Sequence, residues 1–460
     1  MNKRKYGLDL TQGRISALLP RFAWPFIASG IMSALYGAVD LFVIGYFTPE
    51  EIISGVSTGT QVLMIVYTFT IALGTGGTVL VGRRMGERDD AGCARAAGTF
   101  MTVGLIAAAA ITAAIALTAS PMLTLLRTPE LARPSAMNYV LFAAIGIPFN
   151  FGYSVISAIA RGLGNAKVPS IVGGLGAAAN IVLDFLFVGA FGWAEMGVAL
   201  ATSLSQLLTF VVIGAWLLKR KFPFPFAKRD FKPHAPSAAS IFKVGIPLWM
   251  QEILVHISFM IITGIVNDMG VVESAAVGLI AKVFSLVGLF PMAISNAVAA
   301  IAAQNLGAMR RDRAIAATRW GIFYSLVIEL IALIACQAAP DAIMALFANG
   351  KPEVIAGAAA HLRSFSIDLL LISFVFNLNA YLSSCGKSNI AMLHSMVSTF
   401  AVRVPLSLLF AGVAGTMSFR LFMLGFAAPI ASLPSIAICI IYIAVFDKKR
   451  AATEKEPARS

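Results

Sequence analysis

Long apolar segments alternate with short polar breaks along almost the whole chain. About twenty apolar residues form a helix long enough to cross the roughly 30 Å hydrocarbon core of a bilayer. The pattern predicts twelve such spans, numbered here in chain order, at 18–46, 52–80, 97–119, 136–160, 168–191, 196–218, 240–267, 274–303, 316–338, 354–382, 389–412 and 419–446. The fold class is therefore predicted to be all-α and integral to the membrane.

Composition excludes a water-soluble domain. Of the 460 residues, 58% are hydrophobic and only 12% are charged, whereas a soluble surface needs roughly 25%. The net charge of +13 does not predict nucleic-acid binding, because the basic residues lie in the breaks and at the termini and are not interleaved with aromatic residues. The four cysteines and four histidines have no spacing typical of a metal site or a disulfide framework.

The charge of the breaks predicts the orientation of the chain. The second break contains Arg83, Arg84, Arg88 and Arg95, and the sixth and eighth breaks are also strongly basic. The odd-numbered breaks are short and are mostly acidic or nearly neutral. Basic loops remain on the cytoplasmic side, so both termini are predicted to be cytoplasmic, in a cell inner membrane.

Three landmarks indicate an internal repeat. The matched residues, 221 or 222 positions apart, are Pro25 and Pro247, Gly86 and Gly307, and Gly164 and Gly386. Each repeat holds six spans, an even number, so both copies enter the membrane in the same direction and form a parallel repeat.

The repeat divides the chain into two predicted six-helix lobes around a central cavity, the arrangement expected of alternating access. The predicted boundaries are 1–218 for the N-lobe, 219–239 for a cytoplasmic linker, 240–446 for the C-lobe and 447–460 for a cytoplasmic tail.

Several segments resemble one transporter family. Span one reads PFIASGIMSALYGAVDLFVIGYF, span seven opens as VGIPLWMQE, and span eight is followed by the sequence QNLGA. Over nearly the whole chain the sequence is similar to multidrug and toxic compound extrusion (MATE) transporters. The resemblance implies drug/cation antiport by two six-helix lobes.

Charged residues within the spans are candidates for function, because a charge at the centre of a membrane helix costs roughly 2.5–3.5 kcal/mol even on a lenient scale. Asp40, Asn180, Asp184 and Thr202 come from spans one, five and six and are expected at one depth. They also match residue types of the family's N-lobe cation site. They are interpreted as a site for H⁺ or Na⁺, with separate helix–helix hydrogen bonds as the structural alternative.

The C-lobe holds a second set of candidates. Glu252 and Asp368 are expected near the midplane and match position types of a C-lobe cation site in another branch of the family. Lys282 is predicted to pair with one of them. His256 follows Glu252 by one turn and is either part of this site or a packing residue.

Four further residues have secondary roles in this interpretation. Tyr36, one turn before Asp40, is either a neighbour of the cation site or a core aromatic residue. Pro25 is expected to let span one bend. Glu329 and Arg403 are each interpreted as half of a structural ion pair.

The sequence therefore predicts a cation-coupled antiporter that exports amphipathic, often cationic drugs, and the alternative is a flippase for a lipid-linked precursor. A flippase cavity would be expected to carry several basic residues for a pyrophosphate, whereas buried acids outnumber buried bases here. No nucleotide-binding P-loop occurs, and no concentrated cluster of catalytic residues indicates an enzyme. No cofactor is predicted beyond the transported H⁺ or Na⁺, and the partners are a drug-like molecule and the bilayer, with the transporter itself a monomer.

Overall fold

A computed structural model describes residues 6–348 and 351–455. Lys3, Arg4 and Lys5 and the end of the predicted tail, 456–460, lie outside this range. The described α-helices are α1 Ile15–Phe47, α2 Glu50–Gly86, α3 Asp90–Leu125, α4 Arg133–Ala144, α5 Ile147–Gly162, α6 Lys167–Asp184, α7 Ala194–Arg220, α8 Ala235–Met269, α9 Val271–Gly307, α10 Arg311–Ala338, α11 Pro340–Ala345, α12 Pro352–Phe365, α13 Asp368–Ser384, α14 Ser388–Met396, α15 Val404–Ala411, α16 Met417–Gly425 and α17 Ala427–Lys455. π-Helical segments at Phe185–Ala190 and Val397–Arg403 continue α6 and α14, and two short 3₁₀ helices occupy Glu130–Ala132 and Lys228–Phe231.

These helices confirm the predicted fold class. Among the described residues, ten helical segments are long and apolar enough to cross a membrane, and two bent helix pairs raise the number to twelve if each pair is one span. Every predicted span coincides with one of these twelve segments. The chain is therefore an all-helical, multi-span membrane protein.

Two of the twelve spans are broken, which the sequence pattern did not predict. The segment Glu130–Ala144 meets α5 at 45°, and α12 meets α13 at 49°. Pro148, the second residue of α5, has no N–H to continue the preceding helix. The second helix of each pair begins at Ile147 or Asp368, within one residue of the register that relates Pro25 to Pro247. The repeat is thus present in the backbone as well as in the sequence.

The repeated glycines have matching structural roles. Gly164 and Gly386 both adopt left-handed backbone conformations, with φ of +85° and +70°, just after α5 and α13. Glycine is favoured there because it has no Cβ to clash in this region. A Cβ on Gly86 would overlap the Gln304 carbonyl oxygen, and a Cβ on Gly307 would overlap the Arg83 carbonyl oxygen. The two glycines therefore permit reciprocal close contacts at matching positions of the repeat.

The described residues form two compact units. Unit 1 comprises Met1–Trp249 with Ala299–Ala314, and unit 2 comprises Met250–Val298 with Ile315–Ser460. The predicted lobe boundaries remain a prediction based on the repeat.

In unit 1, the segment before α1 is anchored to the QNLGA sequence. Asn305 Nδ2 donates to the Leu10 carbonyl oxygen at 2.9 Å, and Gln304 Nε2 donates to the Gly162 carbonyl oxygen at 2.7 Å. The Leu8 N–H donates to the Gly164 carbonyl oxygen at 2.9 Å. The buried amide side chains of QNLGA thus satisfy backbone groups of two other segments, as buried polar groups must.

Each unit has its own apolar core. The core of unit 1 includes Val43, Leu63, Phe100 and Phe151 from four different helices. The core of unit 2 includes Val266, Ile280, Leu362 and Leu421. The polar residues of the candidate sites interrupt these otherwise apolar helices.

Candidate functional site

The four residues predicted for the N-lobe site come together in unit 1. Asp40 lies on α1, Asn180 and Asp184 lie one turn apart on α6, and Thr202 lies on α7. Asn180, Asp184 and Thr202 are 2%, 0% and 7% exposed. Asp184 is the last residue of α6, and the π-helical segment that follows begins at Phe185. Such segments occur frequently at functional sites.

Asn180 connects α6 to α7. In the amide orientation that satisfies both of its polar atoms, Nδ2 donates to Asp184 Oδ2 at 3.0 Å and Oδ1 accepts from the Thr202 backbone N–H at 3.2 Å. Asn180 is thus held by the Thr202 backbone N–H. The Asn180 amide therefore presents a donor, and not its oxygen, to the carboxylate.

Asp40 and Asp184 form the centre of this site. Their carboxyl groups lie within hydrogen-bonding distance of each other. Oδ1 of each residue is inaccessible to solvent and has no hydrogen-bond partner. Two ionised carboxylates in contact repel each other, so such a pair is stable only when a cation neutralises part of its charge. Across residues 6–348 and 351–455, no Lys or Arg forms an ion pair with either aspartate.

Three tyrosines surround the aspartate pair. Tyr36, which the sequence placed near Asp40, interacts electrostatically with both aspartates. Tyr67 and Tyr139 also interact with Asp40. The sequence analysis missed these two residues because a tyrosine in an apolar span has no local signature that separates it from a core aromatic residue.

Neutral hydrogen bonds fix the positions of the two additional tyrosines. Gln206 Nε2 donates to the Tyr67 hydroxyl at 3.2 Å, and the Thr60 and Tyr139 hydroxyl groups are 3.3 Å apart. The aspartate pair is therefore surrounded by hydroxyl and amide groups that orient the site without neutralising its negative charge.

The candidates of the C-lobe lie in unit 2, where Asp368 has a different environment. It is the first residue of α13, directly after the bend in span ten, and it is 6% exposed. Ser432 Oγ donates to Asp368 Oδ1 at 2.5 Å. Arg403 interacts electrostatically with Asp368, and its guanidinium lies 4.3 Å from the centre of the Phe259 ring. Arg403 is therefore the cationic neighbour of Asp368, a partner that the sequence analysis did not identify.

For the other C-lobe candidates the described structure shows no ion pair with Asp368, and their shared role remains a prediction. Lys282 and Glu252 are exposed and His256 is half-buried. In the part of the chain that the structure describes, no ion pair joins Lys282 to Glu252 or Asp368. The expected Lys282 pairing is thus absent there, and the cationic side chain that interacts electrostatically with Asp368 is Arg403.

Glu329 departs from the expected structural ion pair. It is fully buried, and neither carboxyl oxygen has a hydrogen-bond partner. Its ion-pair partner, which the sequence analysis expected, is missing among the described residues. Pro25 lies inside the continuous helix α1 together with Pro20, and its role as a bending point remains a prediction.

Comparisons with known proteins agree with this arrangement. The model of the MatE family matches the chain twice, at residues 25–186 and 247–409. The second match begins 222 residues after the first, the offset that relates Pro25 to Pro247, which confirms the repeat.

Relatives and solved structures also point to multidrug transporters. A probable multidrug resistance protein of Bacillus subtilis, YoeA, is 26% identical over 388 residues, which cover 83% of each chain. The probable multidrug resistance protein NorM of Thermotoga maritima is 23% identical over 85% of this chain and 84% of its own length. An outward-facing multidrug resistance MATE family transporter has a TM-score of 0.90 at 21% identity, covering 96% of this chain and 99% of that chain. At that identity the structural likeness concerns the fold.

Proposed function

The chain belongs to the MatE family of efflux transporters, and from this membership we propose that it exports drug-like molecules in exchange for a cation bound by Asp40 and Asp184. As a member of this family it is a transporter and not an enzyme. The proposal concerns the coupling ion, the residues that bind it and the substrate.

One observation carries the proposal. Two carboxyl groups from α1 and α6 are in contact, and in the described part of the chain no basic side chain forms an ion pair with either of them. The missing positive charge must come from outside the protein, because two adjacent buried carboxylates are otherwise too costly. A transported cation supplies that charge. Because its ligands lie on α1 and α6 and α6 is bonded to α7, the binding of the cation depends on how these three helices pack.

The amide orientation favours H⁺ over Na⁺ as the coupling ion. A metal cation with a preference for oxygen needs several oxygen ligands. With Asn180 Nδ2 donating to Asp184 and its oxygen accepting from the Thr202 backbone N–H, the Asn180 oxygen is already engaged and does not face the carboxyl groups. A single proton shared between the two carboxyl groups needs no further ligand.

The proposed transport cycle follows from the change in charge of the Asp40–Asp184 pair. A cation captured from outside neutralises the pair, α1, α6 and α7 repack, and the drug is released. After the cation leaves on the cytoplasmic side, the recharged carboxylates favour an amphipathic, cationic drug. The relatives named as multidrug resistance proteins support this substrate class. We further propose a monomer in the cell inner membrane with both termini cytoplasmic, from the basic even-numbered breaks.

The test is ethidium efflux by purified protein in liposomes under an imposed pH gradient and, separately, an imposed Na⁺ gradient. The proposal predicts that a pH gradient alone drives efflux. Efflux driven only by the Na⁺ gradient would assign Na⁺ as the coupling ion, and efflux that responds to neither gradient would contradict cation coupling.

A further inference from the structure

Glu329 is a buried acid that the proposed cycle of unit 1 does not use. It lies on α10 in unit 2, is 0% exposed, and neither Oε1 nor Oε2 has a hydrogen-bond partner. The other buried acid of unit 2, Asp368, has a hydrogen bond from Ser432 and a neighbouring Arg403. Glu329 therefore requires a separate physical explanation.

The surroundings of Glu329 are polar but neutral. Ser325 lies one turn before it on the same face of α10 and is also fully buried. Asn377 on α13 donates from Nδ2 to Ser325 Oγ at 3.1 Å and to the Ser373 carbonyl oxygen at 2.8 Å, and its buried Oδ1 has no partner. The contact between α10 and α13 one turn before Glu329 is therefore made by neutral polar side chains.

No basic side chain in the described ranges forms an ion pair or a hydrogen bond with Glu329. The titratable side chain that interacts with it electrostatically there is Cys336 on the same helix. The polar side chains that join α10 to α13 one turn away, Ser325 and Asn377, carry no charge. An isolated ionised carboxylate is strongly disfavoured in such a place, so the group becomes neutral instead.

A proton can neutralise Glu329 without any further ligand. A metal cation would need several oxygen ligands around it, whereas Ser325 Oγ is engaged by Asn377 Nδ2 and Asn377 Oδ1 lies beside Gly321, two turns before Glu329. A proton needs a single carboxyl oxygen. It also converts one unsatisfied acceptor into an O–H donor.

We propose that Glu329 is a second proton-binding site, located in unit 2 and distinct from the Asp40–Asp184 pair. The site is loaded when α10 and α13 are packed as in this structure. Proton exchange requires these helices to separate, because Glu329 has no access to solvent. The helix α13 begins at Asp368, directly after the bend in span ten. If α13 moves away from α10 when Glu329 exchanges its proton, the packing of span ten depends on whether Glu329 is protonated.

Infrared spectroscopy of the full-length protein tests the assignment. The comparison is between Asp40→Asn/Asp184→Asn protein and the same protein with Glu329→Gln, both in lipid nanodiscs at neutral pH. A protonated carboxylic acid has a C=O stretching band that a carboxylate lacks. We expect the first protein to show such a band, slow to shift in D₂O, and the second to have lost it. Identical carboxylic-acid bands in the two proteins would overturn the proposal.

Thermal stability as a function of pH gives a second measurement. The melting temperature of the otherwise wild-type protein should fall towards alkaline pH, as Glu329 is forced to release its proton inside the fold. Glu329→Gln and Glu329→Met should remove that part of the fall, while Glu353→Gln, a substitution of an exposed acid in the same unit, should leave it unchanged. Failure of both neutral variants to fold would contradict the proposal, because a protonated Glu329 is itself neutral. The melting temperature of the wild type could instead rise with Na⁺ concentration, with no such rise in Glu329→Gln. That result would identify a metal-ion site and would also overturn the proposal of a proton site.

Discussion

The acids of the two candidate sites, Asp40 with Asp184 in unit 1 and Asp368 in unit 2, have opposite electrostatic surroundings. In unit 1, Asp40 and Asp184 from two helices lie in contact, and the groups that position them are an amide and hydroxyls. In unit 2, Asp368 is bonded to Ser432 and lies near the Arg403 guanidinium. The protein itself thus places a cationic neighbour near Asp368, whereas we propose that the acid pair of unit 1 depends on a cation from solution.

This difference separates the residues that should drive transport from those that should stabilise the fold. A site that lacks its own countercharge responds to external cation concentration. A site with an internal countercharge responds mainly when one of its two partners is removed. The sequence repeat therefore duplicated the scaffold but not the chemistry, since the offset of 222 carries Asp40 to Ile262 and Glu252 to Gly30.

The largest effect is expected at the aspartate pair of unit 1. Asp40→Asn or Asp184→Asn should reduce coupled ethidium efflux from liposomes to the level of protein-free vesicles, because a neutral amide cannot exchange a cation. The variants should still insert and remain folded, since replacing one of two repelling acids removes a destabilising contact.

Glu130→Gln is the matched control, because Glu130 is an exposed acid of the same unit. It should transport at the wild-type rate at equal protein amounts. Wild-type efflux by both aspartate variants would show that the contact between the two carboxyl groups has no role in coupling.

An intermediate effect is expected for Asp368 and Arg403. Arg403→Met alone leaves Asp368 buried without its cationic neighbour, and Asp368→Asn alone leaves the guanidinium without its acid. A double-mutant cycle on thermal stability should give a favourable coupling energy of roughly 0.5–3 kcal/mol, with the double variant more stable than the sum of the single losses. Strictly additive losses would mean that the two charges do not interact.

Lys282 provides the contrasting case in the same unit. The side chain is exposed and has no ion pair with Asp368 in the described structure. Lys282→Met should change the free energy of unfolding by less than about 0.5 kcal/mol and should add independently to Asp368→Asn. Coupling of Lys282 to Asp368 comparable with that of Arg403 would restore the pairing expected from the sequence.

The smallest effect on transport among the groups of the aspartate site is expected for its tyrosines. Tyr139→Phe removes the hydroxyl that lies 3.3 Å from Thr60 and keeps the ring. Loss of one neutral hydrogen bond costs about 1 kcal/mol, or roughly fivefold in an equilibrium constant, so the pH dependence of efflux should shift modestly while transport persists. Complete loss of efflux in Tyr139→Phe would place this hydroxyl among the groups that bind the cation.

The sequence predicted much of the fold because membrane spans depend on long apolar segments. It did not predict the bends before Ile147 and Asp368, since Asp368 carries no proline signal and Pro148 lies in an otherwise ordinary apolar span. Hydropathy reports whether a segment can cross the bilayer, but not whether its backbone is continuous.

The candidate sites were predictable to different extents for the same physical reason. Asn180 and Asp184 were linked by helical spacing, and Asp40 could be placed at their depth by counting residues. Arg403 was not identified as the neighbour of Asp368, because the rotation of spans ten and eleven about their axes depends on packing that residue depth does not encode. Tyr67 and Tyr139 were missed on the same ground.

The most direct test of the central claim is linkage between cation and drug at equilibrium. The dissociation constant of ethidium is measured with purified protein over a range of pH and, separately, of Na⁺ concentration, for the wild type and for Asp40→Asn/Asp184→Asn. If the aspartate pair couples the two ligands, wild-type affinity for ethidium must weaken as the coupling cation is added, because coupling between ligands is reciprocal. The account predicts that the wild type weakens as the pH falls and that the double variant does not respond. A double variant that keeps the wild-type pH dependence would contradict the account.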